Sequence, residues 1–466
     1  MRIVVCAKVI GGELNPFDEC ALEEALRIPG GEVTLLSMCP PTAKDKLLSL
    51  TRLGIKRAIL LSDPAFAGSD TLSTAYILST QLKKMEYDLI LCGRQTTDGD
   101  TAQVGPCLAT MLGIGLITNV MKINSLDGGV DCVTRLGDEK CPLPALLTVE
   151  RINNLRFPSI RSKLGEVEIL NNQALGADPA RCGLGGSPTK VLRTFENTSG
   201  RRKCTYLKPE ELAPLLKSLP RKERVEEAEV SAAGARLEQV WAIGKEVAKK
   251  AESLADEVIL ISDTTDVDPY ALAERAKQER PRVILWNADL LGRRNAPILS
   301  ALLNTGLCAD CTALETDGER LLMYRPAKSG NIIAKIECRT LPQMATVRIE
   351  TPSDDVIVSG GRGVAHQLDR LKELAKRLGA ELCSSRALVD TDLSPYEMQV
   401  GLTGKNVSPR VYLAVGISGA VRHTCAIEGA ETVIAINPDK DAPIFDCADY
   451  GIVATLDDIN IEEFSL

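Results

Sequence analysis

Toward the C-terminus, five short glycine- and polar-rich elements follow one another at loop spacing. They are SGGRG (Ser359 to Gly363), SSR (Ser384 to Arg386), QVGLTGK (Gln399 to Lys405), GISGAVRH (Gly416 to His423) and AIN (Ala435 to Asn437). Each follows or interrupts an apolar run, so each can sit at the mouth of a sheet. Val356-Ile357-Val358 predicts a buried strand, and Leu368, Leu371, Leu374, Ala375 and Leu378 recur behind the glycines at helical spacing. A strand, a Gly-Gly-Arg-Gly turn and a helix make a phosphate cradle: backbone N–H groups and the helix N-terminus face an anion, and Arg362 adds a fixed charge. Gly416-Ile417-Ser418-Gly419 superficially suggests a hydrolase serine. The nucleophile elbow fails at its fifth position, where Ala420 stands in place of glycine.

The rest of the chain must position these elements. Its 466 residues leave room for several domains with ample cores. A net charge of -8 and 3% aromatic residues argue against nucleic acid, since there is neither a basic field for phosphates nor an aromatic platform for bases. The opening Met1 to Cys6 reads as a strand, too short for a signal-peptide core, and no apolar run approaches the roughly 20 residues of a membrane span. The expectation is a soluble, cytoplasmic protein. The 15 cysteines are scattered, often inside apolar runs (Cys6, Cys92, Cys338), as in a reduced core. Cys308-Ala309-Asp310-Cys311 is the one CxxC, and with only two histidines in the chain it lacks the further ligands of a zinc or iron–sulfur site. His366 reads as an exposed surface residue.

One internal repeat is legible. Asp88-Leu-Ile-Leu-Cys-Gly opens a segment that ends in Leu143-Pro-Ala-Leu-Leu-Thr-Val-Glu150; Arg282-Val-Ile-Leu-Trp-Asn opens another that ends in Leu341-Pro-Gln-Met-Ala-Thr-Val-Arg348. Each carries a glycine loop, a helix and a Leu-Gly or Thr-Gly stop between, so two copies of one α/β domain are expected.

The order of the five C-terminal elements continues through APIF (Ala442 to Phe445) and ADYG (Ala448 to Gly451). Over residues 353–466 it resembles the FAD domain of the electron-transferring flavoprotein alpha subunit. The first repeat is similar to the beta subunit of that family in NPFDECALEEAL (Asn15 to Leu26), SMCPP (Ser37 to Pro41), AGSDTL (Ala67 to Leu72) and DGDTAQVGP (Asp98 to Pro106). The second, through Gly292 to Leu314 and Arg325 to Ile336, resembles the alpha subunit's N-terminal domain. There Cys311 falls in the family's ADCT element and Cys308 at a usual threonine, so the CxxC reads as incidental. The resemblance implies a natural beta–alpha fusion of α/β class: two similar doubly wound nucleotide-binding-like domains and a C-terminal Rossmann-like parallel-sheet FAD domain. The expected limits are 1–200 for the beta-like domain, 201–236 for a linker or junction, 237–352 for the alpha N-terminal-like domain and 353–466 for the FAD domain. Within the junction, Pro209 to Leu219 can form one short amphipathic helix with Pro209 in its first turn, and Pro220 onward reads as solvated linker.

The resemblance also implies roles. Thr403 would offer its hydroxyl near flavin N5, Arg386 would place a cation over the ring, and His423 would face O2; a merely structural hydrogen-bonding role is the alternative for His423. Arg362, Gly363, Ser385, Gln399, Val400, Gly401, Leu402, Ser418, Gly419, Ala420, Val421, Arg422, Asn437, Thr455 and Leu456 would hold the pyrophosphate, ribityl chain or adenosine. Leu402 stands where the family commonly has glutamine and Thr455 where it commonly has aspartate. A second nucleotide, AMP or a second FAD, would lie against Cys6, Asn15, Pro16, Phe17, Asp18, Met38, Asp98, Gly99, Asp100, Thr101, Ala102, Gln103 and Val104. The stretch Gly11 to Leu14 replaces the family's long hairpin. The partner loop Asn154 to Glu166 is shortened, with Ile160 at the partner-anchoring position, and no first strand is legible in the alpha N-terminal-like domain. The implied function is an electron carrier between an acyl-CoA dehydrogenase-type flavoprotein and a downstream quinone reductase, ferredoxin or flavodoxin. An NADH-oxidising bifurcating module and a non-redox adenine-nucleotide-binding protein are the alternatives.

Overall fold

A computed structural model of the chain describes residues 1–196, 202–219, 235–327, 332–349, 355–391, 393–401 and 404–464. The chain divides into two compact units, Met1–Phe195 with Ser231–Lys328 and Ile332–Arg348, and Glu196–Val230 with Ser329–Asn331 and Ile349–Leu466. The two repeat domains therefore share one unit.

In the first unit a nine-stranded sheet has the order Val167–Leu170, Arg57–Leu61, Glu32–Met38, Arg2–Cys6, Leu89–Gly93, Ala145–Val149, Gly115–Ser125, Val130–Thr134 and Gly137–Cys141. The strands are parallel as far as Gly115–Ser125, and the last two close antiparallel. Continuous apolar runs suit such strands because both faces are buried. Ile3 and Val5 enter one core while Val4 and Cys6 enter the other, as the two-residue side-chain period requires.

A five-stranded parallel sheet in the same unit runs Ala255–Ser262, Leu237–Ile243, Val283–Asn287, Gln343–Val347 and Leu307–Cys311. This repeats the order of the five central strands of the larger sheet. Leu237–Ile243 is the first strand that the sequence left illegible. The correspondence reaches single residues. Asn119 and Asp310 both adopt positive φ, 56° and 57°, and their N–H groups donate to Thr148 Oγ1 at 3.0 Å and Thr346 Oγ1 at 2.8 Å. Gly11 and Gly12, at φ 60° and 87°, turn a minimal hairpin between Val9–Ile10 and Glu13–Leu14; the long hairpin is reduced rather than lost.

The second unit holds a seven-stranded parallel sheet ordered Thr205–Leu207, Tyr450–Ile452, Thr432–Ile436, Val411–Val415, Val356–Gly360, Glu381–Ser385 and Gln399–Val400. Val358, Leu413 and Ile434 face one core; Ile357, Tyr412 and Val433 face the other. Helix Leu368–Arg377 buries Leu371, Leu374 and Ala375 on the first of these. In the junction, the short helix expected over Pro209 to Leu219 forms as the turn Pro209–Glu211 and the helix Leu212–Ser218. Thr205–Leu207 is an edge strand, and Leu212 and Ala213 of helix Leu212–Ser218 enter the same core. These residues are built into the unit because apolar Leu212, Ala213, Leu215 and Leu216 have a face to bury. The residues from Pro220 to Gly234 lie outside those described.

Each repeat carries a buried ion network. Glu150 accepts from Arg94 Nη1 at 2.9 Å and Arg135 Nε at 2.7 Å, with all three side chains nearly inaccessible. Arg348 occupies the equivalent of Glu150 and pairs with Asp310 at 2.5 Å, and Arg293 joins it at 2.8 Å. Burial would push the Glu150 carboxyl up, but Arg94 and Arg135 outweigh it and hold it at about 2. Its stabilising contribution is complete above about pH 4.5 and is lost as pH falls toward 2. Glu150→Gln leaves two guanidinium groups facing a neutral amide in a dry core, and should cost about 3–5 kcal/mol. Thermal unfolding would show it; an unchanged first transition would mean the site is hydrated.

Candidate functional site

Parallel strands deliver their carboxyl ends to one edge, and the register shows which residues meet there. Gly360 pairs with Ser384 and Val415, Ser385 with Val400, and Val415 with Ile436. SGGRG, SSR, QVG, GISGAVRH and AIN are thereby gathered on one edge. Chain order reverses between Val356–Gly360 and Val411–Val415, which makes this a topological switch point.

The turns divide the labour differently from the sequence expectation. The N–H of Gly361 donates to Val415 O at 2.8 Å and that of Gly363 to Gly416 O at 3.2 Å. A Cβ on Gly361 would lie 2.0 Å from Gly416 O. SGGRG is thus chiefly a packing turn against the Gly416 loop, with Arg362 exposed beside it. The open donors are on the other turn: among the described residues, the N–H groups of Ser418, Gly419, Ala420 and Val421 have no hydrogen-bond acceptor. Gly419, at φ 87°, lets the loop pass Ile444, whose N would be 2.1 Å from an added Cβ. Successive free amides in such a loop form an anion nest.

Ser385 Oγ is buried without a partner, and Arg386 begins the one-turn helix Arg386–Val389, its Nε 3.4 Å from Asp390. Asn437 donates to Ile417 O at 2.9 Å and accepts from Asp439 N, fixing the loop beyond its strand. Gln399 and Val400 are fully buried, and Gly401 turns at φ 148°. Leu402 and Thr403 lie outside the described residues. Leu456 belongs to the core rather than the site lining, because its side chain packs with Ile452 and Ile459. Thr455 is engaged by Asp458, at 2.7 Å from its hydroxyl. Arg422 is half-buried, on the turn that carries His423.

His423 departs most from expectation. It is buried, with Nδ1 3.1 Å from Val400 O and Nε2 2.9 Å from Tyr412 OH. A carbonyl only accepts, so Nδ1 carries the proton and Nε2 accepts from tyrosine. Both ring nitrogens are spent inside the domain. Burial lowers the imidazole to about 4 against the opposing effect of Val400 O, so the ring is neutral. It ties two strand ends together.

A second switch point lies in the first unit, between Arg2–Cys6 and Leu89–Gly93. Thr101, Ala102, Gln103 and Val104 present N–H groups without acceptors among the described residues, just ahead of helix Val104–Leu112. Asp100 and Ala102 take positive φ to do so. Asp98 sits partly buried beside Gly99. One carboxylate oxygen pairs with Lys8 Nζ at 2.6 Å and the other is unpartnered. Lys8 has no place in the sequence reading; its only signal is a charge just past an apolar strand. Gln103 is drawn inward, toward Thr71 and Leu307 O.

Other expected contacts here are structural. Asp18 accepts from Lys8 N at 2.8 Å and Gly93 N at 3.0 Å; Asn15 bonds Gln95 O and Thr97 N. Phe17 and Cys6 are core residues. Pro16 opens helix Pro16–Arg27, and Met38 ends its strand half-buried. In the second repeat Asn287 replaces Gly93. It accepts from Val247 N at 2.9 Å and donates to Glu246 at 2.5 Å.

Between Asn153 and Gly165, a loop is pinned at both ends. Arg156 grips Glu23 through its backbone and guanidinium, and Gly165 N donates to Thr51 Oγ1 at 2.8 Å. Between the pins Phe157 and Ile160 are 95% and 97% exposed. The sequence reading named Ile160 and missed Phe157.

Comparison with known proteins follows this geometry. An electron transfer flavoprotein domain model matches residues 3–174 and 222–353, and an electron transfer flavoprotein FAD-binding domain model matches 351–428. The chain is 38% identical over 250 residues to the electron transfer flavoprotein subunit alpha of Thermoanaerobacterium thermosaccharolyticum, covering 44% of this chain and 76% of that protein. It is 43% identical over 195 residues to the beta subunit of the same organism, covering 39% and 75%. Protein FixA of Azorhizobium caulinodans is 40% identical over 228 residues, covering 43% and 79%.

The tautomer of His423 is testable. Nitrogen NMR of labelled protein should find it neutral and protonated at Nδ1 down to about pH 4. Because its folded value lies below the ordinary 6.5, stability should fall as pH drops from 6.5 toward 4. A midpoint near 6.5 would place the ring in water instead.

Proposed function

The chain belongs to the electron transfer flavoprotein family, with a beta-type N-terminal part joined to an alpha-type C-terminal part, and from that premise we propose that it is a one-chain carrier. It takes electrons from a flavoprotein dehydrogenase of the acyl-CoA type and passes them on, to a quinone reductase, ferredoxin or flavodoxin. The observation that carries this reading is the open amide nest Ser418 to Val421, set beside Ser385 and Arg386 on one edge of the parallel sheet. That donor set fits the pyrophosphate and polyol of FAD, the cofactor of the matched domain. Bound FAD supplies one- and two-electron chemistry, and the protein tunes it.

The residues then act as follows. The nest and Arg362 neutralise the diphosphate. Ser385 gives its unsatisfied hydroxyl to the polyol. Arg386 holds a permanent cation near the ring, favouring the reduced, more negative state. Thr403 supplies a hydroxyl donor, and His423 acts from behind by fixing Val400 and the Tyr412 strand. At the beta-type site, Thr101 to Val104 and Lys8 hold an adenine nucleotide. The minimal hairpin Val9 to Leu14 favours AMP, since little chain is left to cover a second flavin. Phe157 and Ile160 form the contact for the electron donor, because two fully exposed apolar side chains on a pinned loop gain most from being covered.

Denaturing the purified protein and quantifying nucleotides should give one FAD and one AMP per chain. Colourless protein that cannot be reconstituted with FAD would overturn the carrier reading; two FAD without AMP would replace it with the NADH-oxidising bifurcating reading. Ile160→Ala and Phe157→Ala should each slow electron uptake from a dehydrogenase by about tenfold, a hot-spot loss, with FAD content unchanged. Equal rates would show that partners dock elsewhere.

A further inference from the structure

A cavity of about 380 Å³ opens in the first unit, and none of the residues of that unit's switch point lines it. Its wall carries Tyr76, Arg181, Gly185, Asn304 and Arg339, and no carboxylate is among the residues that line it. The volume is that of a small-molecule site, for which about 300–1,000 Å³ is usual.

Each arginine is anchored by one arm. Arg181 lies 3.8 Å above the Tyr76 ring, and its Nη2 donates to Asn304 Oδ1 at 3.1 Å. Tyr76 is itself fixed, accepting at its hydroxyl from Asp178 N at 3.0 Å. Arg339 Nη2 donates to Leu184 O at 2.9 Å and also to Ser187 O. Neither guanidinium is paired with a carboxylate among the described residues, and the remaining N–H donors of both have no acceptor there. Half-buried Asp70 is spent on Ser73 N, Thr189 N and the Thr189 hydroxyl. Two fixed cations facing one concavity without counter-charge repel each other, a cost that an incoming anion would relieve.

We infer that this cavity binds a small phosphorylated metabolite, its phosphate held between Arg181 and Arg339 and its body against Tyr76 and the Gly185–Gly186 backbone. The charge selects the class. A phosphate monoester carries about −1.5 to −2 at neutral pH, which balances two guanidinium groups, whereas a single carboxylate balances one. Guanidinium forks also match phosphate oxygens in pairs.

The test is calorimetric titration of the full-length protein with inorganic phosphate, pyrophosphate and acetate, with bound nucleotide per chain measured in each sample. Phosphate or pyrophosphate should bind saturably and acetate far more weakly. Arg339→Gln should weaken that binding roughly tenfold or more, the loss of a charged hydrogen-bond donor. Gly185→Glu provides a variant independent of the arginines. Its backbone has ordinary φ and its Cβ would meet nothing within 4 Å, so it places a carboxylate in the cavity without disturbing the fold and should abolish binding. Nucleotide content should stay unchanged in both, which separates this cavity from the switch-point sites. Absence of saturable phosphate binding, binding that survives Gly185→Glu, or acetate binding as strongly as phosphate would each overturn the assignment.

Discussion

A parallel sheet buried on both faces can offer a ligand little besides the edge where its strands end. Along the central strands, such as Leu89–Gly93 and Val411–Val415, backbone groups are taken by neighbouring strands and both faces are covered by apolar side chains. Where chain order reverses, adjacent loops run to opposite faces and leave a crevice. That constraint places the Ser418–Val421 nest at one reversal and the Thr101–Val104 nest at another. Glycines then decide how closely the loops can meet. Gly361 and Gly416 pack so tightly that any side chain on Gly361 would strike a carbonyl, and this contact holds the nest beside Ser385 and Arg386.

The two repeats of the first unit show how one frame carries different contents. Both keep the central strand order, the positive-φ residue and its threonine acceptor. At the crevice, Gly93 lets Asp18 and Phe17 approach to 2.4 and 2.6 Å of where a Cβ would stand, whereas Asn287 in the second repeat carries a side chain that bonds Val247 N. In the core the charges have exchanged places. The first repeat holds its carboxylate on the strand end as Glu150; the second holds it on the bulged strand as Asp310, with Arg348 at the strand end. Each network keeps one carboxylate between two guanidinium groups, since a lone buried charge costs far more than a paired one.

Much of this was legible in the chain. Apolar runs marked the strands, the LPxxxTV endings marked the duplication, and five polar elements at loop spacing marked the FAD-domain edge. Leu237–Ile243 escaped because Glu238 and Gln239 interrupt its apolar run. The Thr205–Leu207 strand escaped because it lies in a charged stretch and acquires its identity only from its partner, Tyr450–Ile452.

Residue type and spacing by themselves determined the strands, the internal repeat and which loops could cradle an anion, since these depend on periodicity and on turns that act locally; the beta–alpha order came from the resemblance of whole motifs to a family. Only the tertiary structure decided which groups in those loops remain available. SGGRG and GISGAVRH look equally able to cradle phosphate until Val415 and Gly416 take the amides of Gly361 and Gly363 in the first, while those of Ser418 to Val421 in the second stay open. His423 looks like a ligand until Tyr412 and Val400 claim both its nitrogens. The physical reason is that a hydrogen-bonding group can be spent once, and the partners that spend it come from strands and loops brought alongside by the fold.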